Sequence, residues 1–334
     1  MSEQASTPQV GRLVFFPVNL FGAVMGYMGM TLGYYLTAQL FAFPATVFSA
    51  LLAVSTALFA LLSVIYLIKI IKYPQFMVKE FNHPIAINFF PTISISLILL
   101  GSGYMHLAPE VGYWFWLIGT SMQLILTLVI MNLWIHHEKW QIEHLNPAWF
   151  IPVVGNVIVP MAAPEYAGAE IGWFFFSIGV VFWIILQAVI FYRLFFHPPV
   201  DRVLMPTLFI MIAPPAMAFL SYVHLTGQVD ALARIFYYVA LFISLLLLVQ
   251  APRFFRIPFA ISWWAYTFPV AAIANASFVM FAQTAEVTFA YIGAFFLSLV
   301  TVLIAHLTAK TLWAAKNRKL CVPPPQPVVE EPSA

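Results

Sequence analysis

Long apolar segments separated by short polar loops form the dominant pattern of the sequence. A helix needs about 20 apolar residues to cross the roughly 30 Å hydrocarbon core of a membrane. The pattern therefore predicts an all-α integral membrane protein with ten transmembrane helices. The predicted segments span residues 17–40, 45–70, 84–105, 110–134, 147–165, 168–192, 206–226, 229–251, 258–283 and 287–309.

Prolines divide the ten segments into two kinds. The third, fifth, seventh and ninth segments each contain a proline near mid-span, which removes a backbone hydrogen bond and kinks a helix. The first segment lacks one, so a kink there would come from Gly26 or Gly29. The even-numbered segments have no interior proline and are typical of helices that face lipid. The mid-span prolines are Pro91, Pro152, Pro214 and Pro269.

The repeating unit is thus a hairpin of one kinked and one smooth helix. Two crossings return the chain to the same side, so the five hairpins are parallel copies. They can close into a ring around a central pore, with the kinked odd helices inside and the even helices outside. Transporters built from inverted repeats need an odd number of helices per repeat, so the pattern favours a pore. Alternatively, prolines and glycines are simply frequent in membrane helices.

The charged residues predict the orientation of the chain. The two tails and the even-numbered loops carry all fourteen Lys and Arg residues except Arg234. We predict a multi-pass protein of the plasma membrane, which in a bacterium is the inner membrane. The charge asymmetry predicts that both termini lie in the cytoplasm. Residues 1–15 are predicted to form a cytoplasmic tail, residues 16–312 the ten-helix channel domain, and residues 313–334 a disordered cytoplasmic tail.

Composition narrows the classes of function. The chain is 63% hydrophobic and 8% charged, and its net charge of +2 does not indicate a nucleic-acid partner. Cys321 is the single cysteine, which excludes a disulfide within the chain. The span interiors contain no Asp, Glu, Lys or Arg away from their ends. We therefore predict no catalytic residues, no metal site, no cofactor and no enzymatic activity.

Neutral polar groups remain as candidates inside the odd segments. Hydroxyl and amide donors can replace water around a small anion without trapping it. The same groups also form hydrogen bonds between membrane helices, and that role stays open for each of them. Carbonyls freed at kinks would instead favour cations. The candidates are Asn88, Thr92, Ser94, Ser96, Asn156, Ser221, Thr267, Asn275 and Ser277.

Phe268 is the candidate gate. It immediately precedes Pro269 in the string Ser262-Trp-Trp-Ala-Tyr-Thr-Phe-Pro-Val270, so a break in the helix directs its ring. An aromatic ring in a narrow pore blocks it by its bulk and by dewetting. Packing is nevertheless the usual role of an isolated apolar residue in a membrane helix.

The segment Trp263-Trp-Ala-Tyr-Thr-Phe-Pro269 resembles the matching segment of the plant guard-cell slow-type anion channels. Val153-Val-Gly-Asn-Val157 and Ile212-Ala-Pro214 also resemble that family. Phe21-Gly22 and the stretch from Gly227 to Phe236 are similar to the bacterial tellurite-resistance membrane protein, whose wider family includes dicarboxylate transporters and sulfite exporters.

The resemblance implies a channel for chloride and nitrate-like anions, in a lipid bilayer, assembled as a homotrimer with one pore in each protomer. It implies that Phe268 occludes the pore and that Phe21 and Gly22 line it. A secondary transporter that exports dicarboxylate, sulfite or tellurite-related oxyanions remains the alternative. The full set of predicted pore-lining or kink residues is Phe21, Gly22, Gly26, Pro91, Pro152, Asn156, Pro214 and Pro269.

Overall fold

The computed structural model describes residues 11–322, and within them it contains helices and no strands. Residues 1–10 and 323–334, which belong to the two predicted tails, lie outside the described residues. The α-helices are α1 (Phe21–Phe41), α2 (Ala45–Lys72), α3 (Pro74–Phe81), α4 (Pro91–Tyr104), α5 (Pro109–His136), α6 (Phe150–Val154), α7 (Ala163–Tyr166), α8 (Ala169–Phe196), α9 (Ala213–Thr226), α10 (Ala231–Val249), α11 (Ala251–Phe254), α12 (Thr267–Thr284) and α13 (Val287–Lys316).

The predicted mid-span prolines lie at or beside junctions between 3₁₀ and α-helical structure. Pro91 begins α4, and Pro214 and Pro269 lie in the first turns of α9 and α12. Pro152 lies in the short α6, which continues as 3₁₀ helix over Gly155–Met161. A proline fits the first turn of a helix because the N–H group it lacks has no intrahelical partner there. The 3₁₀ segments that precede α4, α9 and α12 are Ala86–Phe89, Met205–Ile212 and Ile261–Tyr266.

Among residues 11–322, eight helical segments are long and apolar enough to cross a membrane. Two predicted segments do not meet these criteria. α1 has 21 residues but includes several glycines, tyrosines and other weakly apolar side chains, and the helix over Pro147–Met161 is too short. The structure therefore shows an all-helical chain with eight candidate spans, and the count of ten stays a prediction. The eight are Ala45–Lys72, Ala86–Tyr104, Pro109–His136, Ala169–Phe196, Met205–Thr226, Ala231–Val249, Ile261–Thr284 and Val287–Lys316.

Five segments, which we call the inner segments, contact one another in closed order. They are α1, α4, residues 147–161, α9 and α12, and the last contacts the first. Each also packs against the next long helix of the chain, namely α2, α5, α8, α10 or α13. In the candidate spans that contain α4, α9 and α12 with the 3₁₀ segments before them, between 72% and 89% of the most apolar 18-residue stretch is buried. In the five partner helices the corresponding share is 22% to 39%. The partner helices therefore provide most of the exposed apolar surface.

The end of α13 packs beside the N-terminal residues of the described chain. α13 continues to Lys316, so the predicted tail boundary at residue 313 falls inside the helix. The chain then turns back, and the Arg12 guanidinium donates a hydrogen bond to the carbonyl of Leu320.

Candidate functional site

Three neighbouring cavities lie between the inner segments. The vestibule, of about 520 Å³, is lined by residues such as Pro17, Ala86 and Leu204 near the starts of the inner segments. The central cavity, of about 70 Å³, is lined by all five inner segments. The distal cavity, of about 390 Å³, is lined by residues nearer their C-terminal ends. The inner segments therefore run in the same direction along the cavities.

Shared residues show how the cavities follow one another. The vestibule and the central cavity share Asn19, Phe89, Ile261 and Ser262. The central and distal cavities share Met217 and Phe268. These two residues therefore lie where the central and distal cavities adjoin, a position that we call the partition.

Phe268 is buried at this partition, with 7% of its surface exposed. It is the second residue of α12, where the chain changes from 3₁₀ to α-helix. Its ring packs towards Gly29 of α1, because a Cβ atom built on Gly29 would lie 3.3 Å from Phe268 Cδ2. The absence of a side chain at Gly29 thus provides the space that the ring occupies.

The central cavity is apolar and uncharged. Its polar lining side chains are Asn19, Thr92 and Ser262, and no Asp, Glu, Lys, Arg or His residue of the described part of the chain lines it. The other lining residues are Gly22, Met25, Phe89, Ile95, Phe150, Ile151, Val154, Gly155, Ile158, Ile210, Ala213, Pro214, Met217, Ile261, Trp264, Ala265, Phe268 and Pro269. An ion in this cavity would meet few groups able to replace its hydration shell.

The structure brings four of the predicted site residues together in the central cavity. Gly22, Pro214 and Pro269 line it together with Phe268. At Gly22 an added Cβ atom would meet its nearest neighbour, Trp264 Cβ, at 3.9 Å, so the glycine leaves open space. Sequence reasoning missed most of the other lining residues, including Met217 in the partition.

The remaining predicted site residues face neighbouring helices and line none of the three cavities. The ring of Phe21 packs edge-on against Phe59 and Tyr66 of α2, at centroid distances of 5.9 and 6.0 Å. Gly26 packs against α12, where an added Cβ would lie 2.0 Å from Thr267 Oγ1. Pro91, Pro152 and Asn156 are buried.

A polar network around Pro152 accounts for the burial of Asn156. The Pro152 carbonyl accepts hydrogen bonds from Gln123 Nε2 at 2.9 Å and Thr127 Oγ1 at 2.7 Å, both on α5. Asn156 Nδ2 donates to Thr127 Oγ1 at 2.9 Å, and Ser94 Oγ donates to Gln123 Oε1 at 2.6 Å. This carbonyl is therefore satisfied by α5 and does not face the central cavity.

Two of the nine neutral polar candidates line cavities. Thr92 lines the central cavity, and Asn275 lines the distal cavity while its amide donates to the Gly29 carbonyl at 3.0 Å. Others form packing hydrogen bonds, such as Ser221 with the Val157 carbonyl and Ser277 with Tyr237. Most of the nine candidates therefore form hydrogen bonds between helices, which is the alternative role that the sequence left open.

An ion pair beside the vestibule could not be singled out from the sequence. Lys69 Nζ lies 2.6 Å from Glu80 Oε2 and donates to the Phe16 carbonyl at 2.7 Å. Glu80 also accepts hydrogen bonds from the Tyr66 hydroxyl and the Val18 N–H. Lys69 is 2% exposed, although its position near the end of a hydrophobic segment suggested a solvated loop. The pair connects α2 and α3 to the residues that precede α1.

Histidines line the distal cavity. The imidazole of His106 stacks on the ring of Tyr35, with centroids 3.9 Å apart and planes 14° apart. His224 Nε2 lies 3.1 Å from a carboxylate oxygen of Glu165. Burial lowers the pKa of His106 below its ordinary value of 6.5. Within residues 11–322, no three His, Cys, Asp or Glu side chains are grouped so that they could hold a metal ion.

Comparison with known proteins finds relatives in plants, bacteria and archaea. The S-type anion channel SLAH3 of Arabidopsis thaliana is 28% identical over 272 residues, covering 79% of this chain and 43% of the relative. The tellurite resistance protein TehA homolog of Haemophilus influenzae is 26% identical over 267 residues, covering 78% of this chain and 80% of the relative. The uncharacterized transporter MJ0576 of Methanocaldococcus jannaschii is 24% identical over 291 residues, covering 80% of this chain and 84% of the relative.

The chain spans less than half the length of the plant channel SLAH3. Residues 15–312 match the family described as SLAC1, voltage-dependent anion channel. That match includes the inner segments and all the residues that separate the central from the distal cavity. The family resemblance seen in the sequence is confirmed. The chain belongs to the SLAC1 voltage-dependent anion channel family.

Proposed function

We propose that this protein is an anion-selective channel for small inorganic anions such as chloride and nitrate, and that Phe268 closes its pore. One observation carries the proposal: Phe268 and Met217 are the residues shared by the central and distal cavities. A side chain in that position blocks passage by bulk, and its apolar surface disfavours water. Movement of the ring would join the two cavities.

Helix orientation supports anions as the permeating species. α4, α9 and α12 all begin at the central cavity, which is lined by Thr92, Ala213 and Phe268 from their first turns. The peptide dipoles of these three helices point their positive ends towards the 3₁₀ segments that precede them, which favours an anion over a cation on that side. The Pro152 carbonyl, which would favour a cation, is occupied by hydrogen bonds from α5.

The finer architecture belongs to the same proposal. We propose ten crossings arranged as five parallel hairpins around the three cavities, with the vestibule on the cytoplasmic side and both termini in the cytoplasm. The closed order of contacts among the inner segments supports this arrangement. We also propose a homotrimer, on the resemblance alone. Native mass measurement in detergent should give three times the 37.6 kDa protomer, and a monomer would contradict it.

Current recording from the Phe268→Ala variant tests the gate. We expect anion current to rise roughly tenfold or more, equivalent to a barrier lower by about 1.4 kcal/mol. The reversal potential should follow the anion gradient. Phe150→Ala is the matched control, because Phe150 lines the central cavity but not the distal one. An equal gain in both variants, or cation-selective current, would contradict the proposal.

A secondary transporter of dicarboxylate, sulfite or tellurite-related oxyanions is the second candidate. Two cavities that meet at only two side chains also suit a protein that exposes a substrate site to each side in turn. Such a transporter should show saturable and electrically silent flux, with no gain from Phe268→Ala. That outcome would replace the channel.

A further inference from the structure

The distal cavity has a different chemical character from the central one. Its titratable lining residues are Tyr35, His106 and His224, which come from three different inner segments or their ends. Ser102, Asn275 and Gln283 add neutral polar groups to the lining. An ion that passes Phe268 therefore leaves an uncharged cavity and enters one that contains two imidazoles.

His106 is held in a fixed orientation. One face of its ring stacks on Tyr35 of α1, and Phe48 of α2 packs edge-on at a centroid distance of 6.3 Å. These contacts cover part of the ring, and the residue is otherwise exposed where it lines the cavity. An aromatic face next to an imidazole also stabilises the protonated ring.

Glu165 is the carboxylate that acts on His106. It lies 3.1 Å from His224 Nε2 and does not line the cavity itself. The coulombic effects on His106 come from Glu165 and His224, and the neighbouring aromatic rings are neutral. Tyr166 lies beside Glu165, and Glu110 lies in the first turn of α5, but neither lines the cavity. Protonation of His106 thus adds one positive charge to the cavity lining.

We propose that the distal cavity is a proton-dependent binding site for a small oxyanion, with protonated His106 as its cation and His224 as a second N–H donor. An oxyanion suits the site because its several oxygens can accept hydrogen bonds from more than one donor. The site deepens the proposed channel function and rests on it.

The direction of the pH dependence follows from the surroundings of His106. Burial lowers its pKa, a protonated His224 lowers it further, and Glu165 opposes these effects. A lowered pKa means that acidification is needed to protonate His106. Anion affinity should rise as the pH on the distal side falls. By linkage, a bound anion raises the pKa of His106.

Current recordings from the Phe268→Ala variant test the distal site. In this variant the proposed gate is already removed, so a change in current reports on the site and not on the gate. Lowering the distal pH from about 8 to about 5.5 should increase nitrate current roughly tenfold at low nitrate concentration. The pH is held constant on the vestibule side. His106→Gln should abolish this increase and His224→Gln should reduce it. His137→Gln is the control, since His137 is exposed in the loop after α5 and does not line the cavity.

A binding measurement gives a second readout that needs no current. Nuclear magnetic resonance of ring-labelled histidine in the purified protein reports the pKa of His106, whose signal is assigned by its loss in His106→Gln. Adding sodium nitrate should raise that pKa relative to sodium gluconate at equal ionic strength. Current that is insensitive to distal pH, together with a His106 pKa unmoved by nitrate, would overturn the site while leaving the channel intact. Absence of anion current in every variant would instead refute the channel.

Discussion

At the scale of single residues, the absence of side chains on α1 determines how closely it approaches α12. A Cβ atom at Gly26 would lie 2.0 Å from Thr267 Oγ1 and 2.6 Å from its Cβ, well inside contact distance. At Gly22, one turn earlier, the nearest atom would be 3.9 Å away. The same substitution at these two glycines should therefore have different effects.

Gly26→Ala should destabilise the protein by about 1–3 kcal/mol, because α1 must move away from α12. Gly22→Ala should cost little, since alanine favours helix by about 1 kcal/mol over glycine and meets no obstacle. The extra methyl group would instead narrow the central cavity and lower the current. Thermal unfolding in detergent, combined with current recording, measures both effects. A lower melting temperature for Gly22→Ala than for Gly26→Ala would contradict this packing.

The residues also show why sequence predicted only part of the site. Glycine, proline and the aromatic before Pro269 are conspicuous in any helix, and Gly22, Pro214, Pro269 and Phe268 do line the central cavity. The sequence could not tell which way Phe21 faces. The inner helices are buried on most sides, so no amphipathic pattern marks the face that borders a cavity.

At the scale of elements, α5 supplies polar groups to its inner neighbours. Its sequence is smooth and apolar, so it was predicted to face lipid, and much of it is exposed. Yet Gln123 and Thr127 turn inward and satisfy the Pro152 carbonyl. Hydropathy alone does not reveal these contacts, because two polar residues scarcely change the average of a long helix.

A double-mutant cycle on α5 tests this network. Gln123→Leu and Thr127→Val each leave the Pro152 carbonyl one partner, and they also remove the acceptor of Ser94 Oγ or Asn156 Nδ2, so each should cost about 1–3 kcal/mol. The double variant leaves the carbonyl without a partner from α5, and its cost should exceed the sum of the two single changes. Ser177→Ala on the exposed face of α8 is the control, since that hydroxyl bonds only within its own helix. Additive losses measured by thermal unfolding would argue against a shared carbonyl.

At the scale of the whole molecule, the all-helical class, the family and the placement of polar loops were predictable from hydropathy and charge. The prolines of four odd segments predicted hairpins around a pore. The inner segments contact one another in closed order, and the ten-helix arrangement with its kinks stays a prediction. The buried Lys69–Glu80 pair was not predictable, because it forms only when α2, α3 and the entry of α1 meet. Long-range contacts of this kind leave no local periodicity in the sequence.

Thiol labelling tests the proposed orientation. In a Cys321→Ser background, Glu138→Cys and Gln228→Cys place single thiols in exposed loops after α5 and after α9. Five parallel hairpins put these loops on opposite sides of the membrane. A membrane-impermeant reagent added outside the cell should modify only the cysteine at position 228, and modification at 138 should require access to the cytoplasm. Labelling of both positions from one side would rule out this topology.

The small number of residues in the partition has a consequence for how such a protein can change over evolution. The partition consists of two side chains, Met217 and Phe268, whereas the helices are joined by glycine contacts, the Pro152 network and the Lys69–Glu80 pair elsewhere. Substitutions at the partition that change how easily the pore opens can therefore accumulate without lowering the stability of the helix packing. Substitutions that stabilise the helix packing can likewise accumulate without changing the partition.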